Sequence, residues 1–179
     1  TELRRTVAVS SMAKLAESRD SETGAHLERI RGYSRVLAQW IFRRGSGEID
    51  EEYVRLLCET CPLHDIGKIA IPDSILNKEA PLNTEERERM LRHPLEGLKI
   101  IANIDRLKPA IPYILCHHER WDGNGYPRGL RGEEIPIEGR LLAVADTFDA
   151  ILSDRPYRRG ATITHAVEEI RRSAGSQLD

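Results

Sequence analysis

Apolar residues fall on helical spacing through most of the chain. From His26 they recur at Ile30, Tyr33, Leu37, Trp40 and Ile41, steps of three and four that line one face of an α-helix. Leu141, Val144, Ala145, Phe148, Ile151 and Leu152 repeat the pattern. The same reading predicts helices over residues 50–63, with Pro62 disturbing the end, and over 84–91, 95–103, 109–118 and 162–172. Thr84 is the expected N-cap of the helix that starts there, ahead of Glu85 and Glu86. An opening helix carries Leu3, Val7, Met12 and Leu15. Strand signals are confined to residues 69–72 and 135–137, too short to anchor a sheet. Residues 121–139 hold Gly123, Gly125, Gly129, Gly132, Gly139, Pro127 and Pro136, a density that excludes a continuous helix and predicts a structured loop. The expected architecture is one all-α domain with one long loop.

Composition narrows the function classes. The chain has 179 residues, 31% charged and 40% hydrophobic, as for a globular protein with a single core. Its longest apolar runs, such as residues 141–145, are far short of the ~20 a membrane-spanning helix needs, so no membrane segment is expected. No signal-peptide pattern opens the sequence. A net charge of −2 leaves no basic footprint for duplex nucleic acid, so an anionic ligand must be held by a local cluster or a metal. Three cysteines build no disulfide framework and fit a reducing compartment, hence a cytoplasmic location. Cys58-Glu-Thr-Cys61 lacks a partner pair at zinc spacing, and Cys58, Cys61 and Cys116 are read as packing residues. His165, on a polar terminal helix, is read as solvated. The chain opens on Thr1 with a helix under way. Residues 1–20 are therefore expected to continue from an upstream sensory or receiver domain and to offer a homodimer contact, with residues 21–179 as the domain proper.

The remaining histidines and acids carry the candidate chemistry. His64 and Asp65 are adjacent, straight after an apolar helix, and so are His117 and His118. His93 lies between two helices, and Asp146 interrupts the apolar helix near the end. Glu22 and His26 are four apart, so on a helix they share a face. Singly, each has an ordinary reading: one His-Asp pair is background, and Asp146 or Asp149 suits a buried salt bridge. As a set they exceed what packing requires. His, Asp and Glu are the donors for iron, manganese and zinc. Adjacent donors pointing about 100° apart suit a cluster of ions rather than one. Two ions about 3.5–4 Å apart, with a bridging hydroxide as nucleophile, are the arrangement for displacement at phosphorus.

Several segments then carry a family resemblance. They are Glu22-Thr-Gly-Ala-His26, His64-Asp65-Ile66-Gly67-Lys68, Ile71-Pro72-Asp73, His93-Pro94 and His117-His118-Glu119. Asp122-Gly123-Asn124-Gly125-Tyr126-Pro127, Arg140, Asp146-Thr147-Phe148-Asp149-Ala150 and Arg155-Pro156-Tyr157-Arg158 follow in order. The sequence resembles the HD-GYP family, the bacterial cyclic di-GMP phosphodiesterase branch of the HD superfamily, from about residue 18 to 175. The resemblance implies an HD-type helical bundle whose Gly/Pro-rich loop bears the Gly-Tyr-Pro motif. It also implies two or three divalent metal ions, with iron and manganese about equally suited. Their ligands would be His64, Asp65, His93, His117, His118 and Asp146, with Glu22 and His26 added as in three-metal members. Lys68 would meet the scissile phosphate, making Asp65 and Lys68 the catalytic pair. Tyr126, Arg155 and Arg158 would bind substrate. The product would be linear pGpG, and GMP after a second cut. Two other readings stay open: a phosphohydrolase of another cyclic dinucleotide or nucleotide, and a regulatory module that binds cyclic di-GMP or a partner without turnover. Leu178 stands where the family has Phe, and the closing element beyond it is expected to be absent or the end unordered.

Overall fold

The computed structural model describes residues 2–19, 24–45, 49–154 and 159–179. Its helices are α1 (Glu2–Glu17), α2 (Gly24–Arg43), α3 (Glu51–Thr60), α4 (Asp73–Leu76), α5 (Thr84–Met90), α6 (His93–Ile101), α7 (Ile111–Cys116), α8 (Ile137–Leu152) and α9 (Ile163–Ser173). Short 3-10 turns cover Cys61–Leu63, Ile66–Ala70, Asp105–Ala110 and Gly132–Glu134. Among the described residues there is no strand, only one isolated bridge between Ala174 and Leu178, so the all-α expectation holds. No described helix is long and apolar enough to cross a membrane.

Two apolar clusters flank the His-Asp turn. One joins Val9, Ala13 and Ala16 of α1 to Leu27, Leu63, Ile66, Ile101 and Ile114. The other joins Ile30 and Ala38 of α2 to Leu57, Cys61, Tyr113, Leu141, Leu142 and Ala145. Each fully buried side chain such as Leu63, Ile114 or Leu142 contributes about 1.5–3 kcal/mol. Cys61 and Cys116 are buried and unbridged, in keeping with packing roles.

Several local boundaries differ from the sequence reading. α3 stops at Thr60 because Pro62 forces the next turn into 3-10 geometry. The cap of α5 is Asn83, not Thr84: Asn83 Oδ1 accepts from Glu86 N at 2.9 Å while Glu86 Oε2 accepts from Asn83 N at 2.9 Å, a reciprocal capping box. α8 begins at Ile137, with Pro136 preceding it, so the long loop ends earlier than expected and Gly139 lies inside the helix, facing Cys116. Trp40 of the predicted α2 stripe is 56% exposed, with Arg44 lying 4.0 Å over its ring. On α1 the buried face is Val9, Ala13 and Ala16, whereas Val7 and Leu15 face outward.

Close packing places the future site. A Cβ on Gly67 would stand 1.8 Å from the carbonyl oxygen of His93, so only glycine lets the 3-10 turn after Asp65 rest on the start of α6. Arg19, just past α1, ties the far end of that turn, donating to Ile69 O, to Ile71 O at 2.9 Å and to Asp73 Oδ1 at 2.7 Å. The tail packs back onto the loop: Trp121 N donates to Gln177 O and Asp122 N to Ser176 O, and Leu178 is buried.

Candidate metal centre

Most of the predicted donors meet in two adjoining groups. Asp65, His93, His117 and His118 form one, and His26, His64 and Asp146 the other; within each group the donor atoms lie within 4.8 Å of one another. The groups touch at the His-Asp turn, where His64 Nε2 is 3.5 Å from Asp65 Oδ2. Glu22, Arg155 and Arg158 lie outside the described residues.

Most of the donors sit at or near the end of an element, whereas Asp146 projects from the middle of α8. His64 and Asp65 join two 3-10 turns, His93 opens α6, and His117 follows α7. Three imidazoles are fixed from behind by their own turn. His64 Nδ1 donates to Cys61 O at 2.9 Å, His93 Nδ1 to Met90 O at 2.9 Å, and His117 Nδ1 to Tyr113 O and Ile114 O at 3.0 Å. A carbonyl only accepts, so the proton is on Nδ1 and each Nε2 presents a lone pair inward. His93 Nε2 and His117 Nε2 are 3.3 Å apart, and Asp65 Oδ1 lies 3.2 and 3.4 Å from them. Three buried acceptors converging on one point repel unless a cation lies among them. That convergence, from nitrogen and carboxylate donors, fits a divalent metal.

Charge states agree with a ligand role. Burial lowers the pKa of His64 to about 4 and lowers that of His117. Burial, then the neighbouring His117, holds His118 well below its ordinary value. All three are neutral donors at pH 7. Burial acts to raise the pKa of Asp65, but Lys68 and His64 outweigh it and keep the carboxylate ionised. Lys68 Nζ lies 2.7 Å from Asp65 Oδ2.

The loop closes one side. Tyr126 stacks on His118 with ring centroids 4.7 Å apart and planes 23° from parallel. Tyr126 N donates to His118 O at 3.2 Å, and the Tyr126–Pro127 bond is cis. Gly125 passes so near that a Cβ would come 2.3 Å from Arg120 N. Buried Glu119 pins the return of the loop, accepting from Arg128 N at 2.8 Å and Leu130 N at 3.0 Å. Beside these residues opens a groove of about 940 Å³ whose walls include His117, His118, Tyr126 and Asp146, with Arg87 and Arg120 at its rim.

Sequence reasoning left three groups without a role here. Asp149, read as a salt-bridge acid, bonds His26 Nδ1 at 2.7 Å. Arg29, one turn beyond His26, holds Asp149. Glu17, buried on α1, places Oε1 4.0 Å from His26 Nε2; its four-residue step from Ala13 on the inward face was the available signal.

A helical bundle that draws histidines and carboxylates from separate elements into a two-part donor cluster beside a groove defines the class of His-Asp metal-centre proteins. Comparison with known families agrees: the HD domain model matches residues 10–179. A cyclic di-GMP phosphodiesterase of Vibrio cholerae serotype O1 is 42% identical, over 98% of this chain and 37% of the relative. The cyclic di-GMP phosphodiesterase response regulator RpfG of Xanthomonas campestris is 40% identical, over 96% and 44%. A 3'3'-cGAMP-specific phosphodiesterase 2 of Vibrio cholerae is 38% identical, over 96% and 32%. Among solved structures, Bd1817, an HDG"Y"P protein from Bdellovibrio bacteriovorus, superposes with a TM-score of 0.66 at 23% identity, over 86% of this chain and 47% of that one, and shares the fold. The chain belongs to the HD domain family. It spans less than half the length of these relatives.

Proposed function

We propose that the chain is the output domain of a bacterial signalling protein and hydrolyses cyclic di-GMP to linear pGpG, and onward to GMP, with two or three iron or manganese ions. The observation that carries this reading is the meeting of Asp65 Oδ1 with His93 Nε2 and His117 Nε2 beside a groove large enough for a dinucleotide. Asp65, His93, His117 and His118 would hold one ion, and His26, His64 and Asp146 a second; Glu22 would be the further ligand of a third. When bound, the ions acidify the attacking water and neutralise charge on the phosphoryl oxygens. Asp65 stands where the two groups meet, suited to both ions. Lys68 would release Asp65 and donate to a non-bridging phosphoryl oxygen, where negative charge builds. Water oxygen bonds to phosphorus, the P–O3′ bond breaks, and the 3′ oxygen leaves with a proton. Tyr126 would wall the pocket, and Arg155 and Arg158 would bind phosphate and base. Residues 1–20 would lead in from an input domain and pair two subunits, as the outward Val7 and Leu15 allow, in a cytoplasmic protein.

The relatives named for 3'3'-cGAMP favour one second reading, a different cyclic dinucleotide at the same centre. Protein purified without oxygen, assayed for metal by mass spectrometry and for turnover of both dinucleotides, separates these readings. Two or three equivalents with pGpG or GMP from cyclic di-GMP are expected, and Asp65→Ala or exhaustive chelation should abolish turnover. Unchanged activity in Asp65→Ala refutes the metal-dependent mechanism, and preference for the mixed dinucleotide selects the second reading.

A further inference from the structure

His26 differs from the other donor histidines in how it is held. His64, His93 and His117 bond carbonyls three or four residues back, whereas His26 Nδ1 bonds a carboxylate on another helix, Asp149, 123 positions away. Asp146 and Asp149 are three apart on α8 and therefore share a side. Asp149 Oδ2 takes Nδ1 at 2.7 Å, while Asp146 Oδ1 faces Nε2 at 3.9 Å. One helix thus addresses both nitrogens of the ring.

Asp149 is itself braced. Arg29 Nε and Nη2 lie 2.5 and 3.0 Å from its two oxygens, Arg29 Nη2 donates to Ser153 Oγ at 2.9 Å, and Ser153 Oγ donates to Asp149 Oδ2 at 3.2 Å. Without such a partner an imidazole turns about its broad second torsion and divides its proton between two nitrogens. With it, Nδ1 keeps the proton and Nε2 keeps the lone pair.

The geometry points to Asp149 as a positioning residue: braced by Arg29 and Ser153, it sets the tautomer and orientation in which His26 Nε2 accepts an ion beside His64 and Asp146. This deepens the metal-dependent reading above and rests on it. Partners of this kind typically change metal affinity 10- to 100-fold.

The test is Mn(II) titration of chelator-stripped protein, reading bound equivalents by mass spectrometry and spin coupling by electron paramagnetic resonance. Wild type is expected to load both groups and to show the coupled spectrum of neighbouring ions. Asp149→Leu should bind about one equivalent less at matched concentration, with the six-line signal of an isolated Mn(II) rising in its place. Asp149→Asn, whose amide oxygen still accepts from Nδ1, should weaken the second site about 10-fold, and Arg29→Gln should fall between them. Thermal melting checks that each variant is folded, and should the leucine variant melt early, the other two decide. Wild-type affinity and coupling in the folded variants overturn this inference alone. A wild type that takes up no Mn(II) overturns the metal-dependent reading and this inference with it.

Discussion

Glu119 offers a way to loosen the Tyr126 loop without touching a donor. Its carboxylate, 3% exposed as a residue, accepts from Arg128 N at 2.8 Å through one oxygen and from Leu130 N at 3.0 Å through the other. Glu119→Gln leaves one oxygen for one amide and turns an NH₂ toward the second. The loss is one bond to a charged acceptor, about 1.5–3 kcal/mol, with the unpaired amide adding to it until the loop shifts to reach water. A net local cost of about 2–3 kcal/mol corresponds to roughly 30- to 150-fold faster opening. Native-state hydrogen exchange measures this directly at the amides of Arg128 and Leu130, with Leu142 of α8 as the internal reference. The expected result is faster exchange at 128 and 130 with little change at 142, together with a raised KM as Tyr126 loses its fixed place on His118. Uniformly faster exchange at all three amides refutes the reasoning, because Glu119 would then support the whole fold and not the loop.

Other outcomes follow from the same packing and charge. Metal-free protein should lose stability as pH falls from about 6.5 toward about 4: the unfolded chain binds a proton on His64 that the buried folded imidazole refuses, a contribution of roughly 3 kcal/mol at most. Urea melts across that window check this, and His64→Gln should flatten the slope. Gly67→Ala brings a methyl to 1.8 Å from His93 O and 2.5 Å from Gly97 N, so a loss of about 3 kcal/mol or more is expected in denaturant unfolding; wild-type stability would contradict the contact. Leu142→Ala, at a side chain with no exposed surface, should cost about 2–5 kcal/mol in the same assay while leaving metal stoichiometry unchanged.

The helical class and the loop were legible because periodicity and glycine density are local signals. The His-Asp pair, His93 and the paired histidines stand out because side chains of that kind have little reason to follow apolar helices. What escaped depends on partners distant in the chain. Thr84 and Asn83 are both acceptable caps, and only the reciprocal reach of Glu86 selects Asn83. Trp40 fits the stripe of α2 by spacing, yet the inward arc passes through Leu27, Ile30, Ser34 and Ala38. The division of the donors into two groups comes from the crossing of α2, α6, α7 and α8. No spacing along the sequence shows that Asp149 lies behind His26, or that alanines bring α1 close enough to bury Glu17 beside it.

The grip of Asp149 on His26 also orders events during synthesis. A nascent chain that has released residues 1–120 already carries His26, His64, Asp65, His93, His117 and His118, but neither acid of α8. Until α8 leaves the ribosome and docks, His26 has nothing behind it and Asp146 is absent, so the second group does not exist. In the first group His93 and His117 have their carbonyl supports within their own turns, and that group can assemble earlier. On the proposed reading the first group would be complete before the second, and a chain stalled before residue 146 would carry only the first.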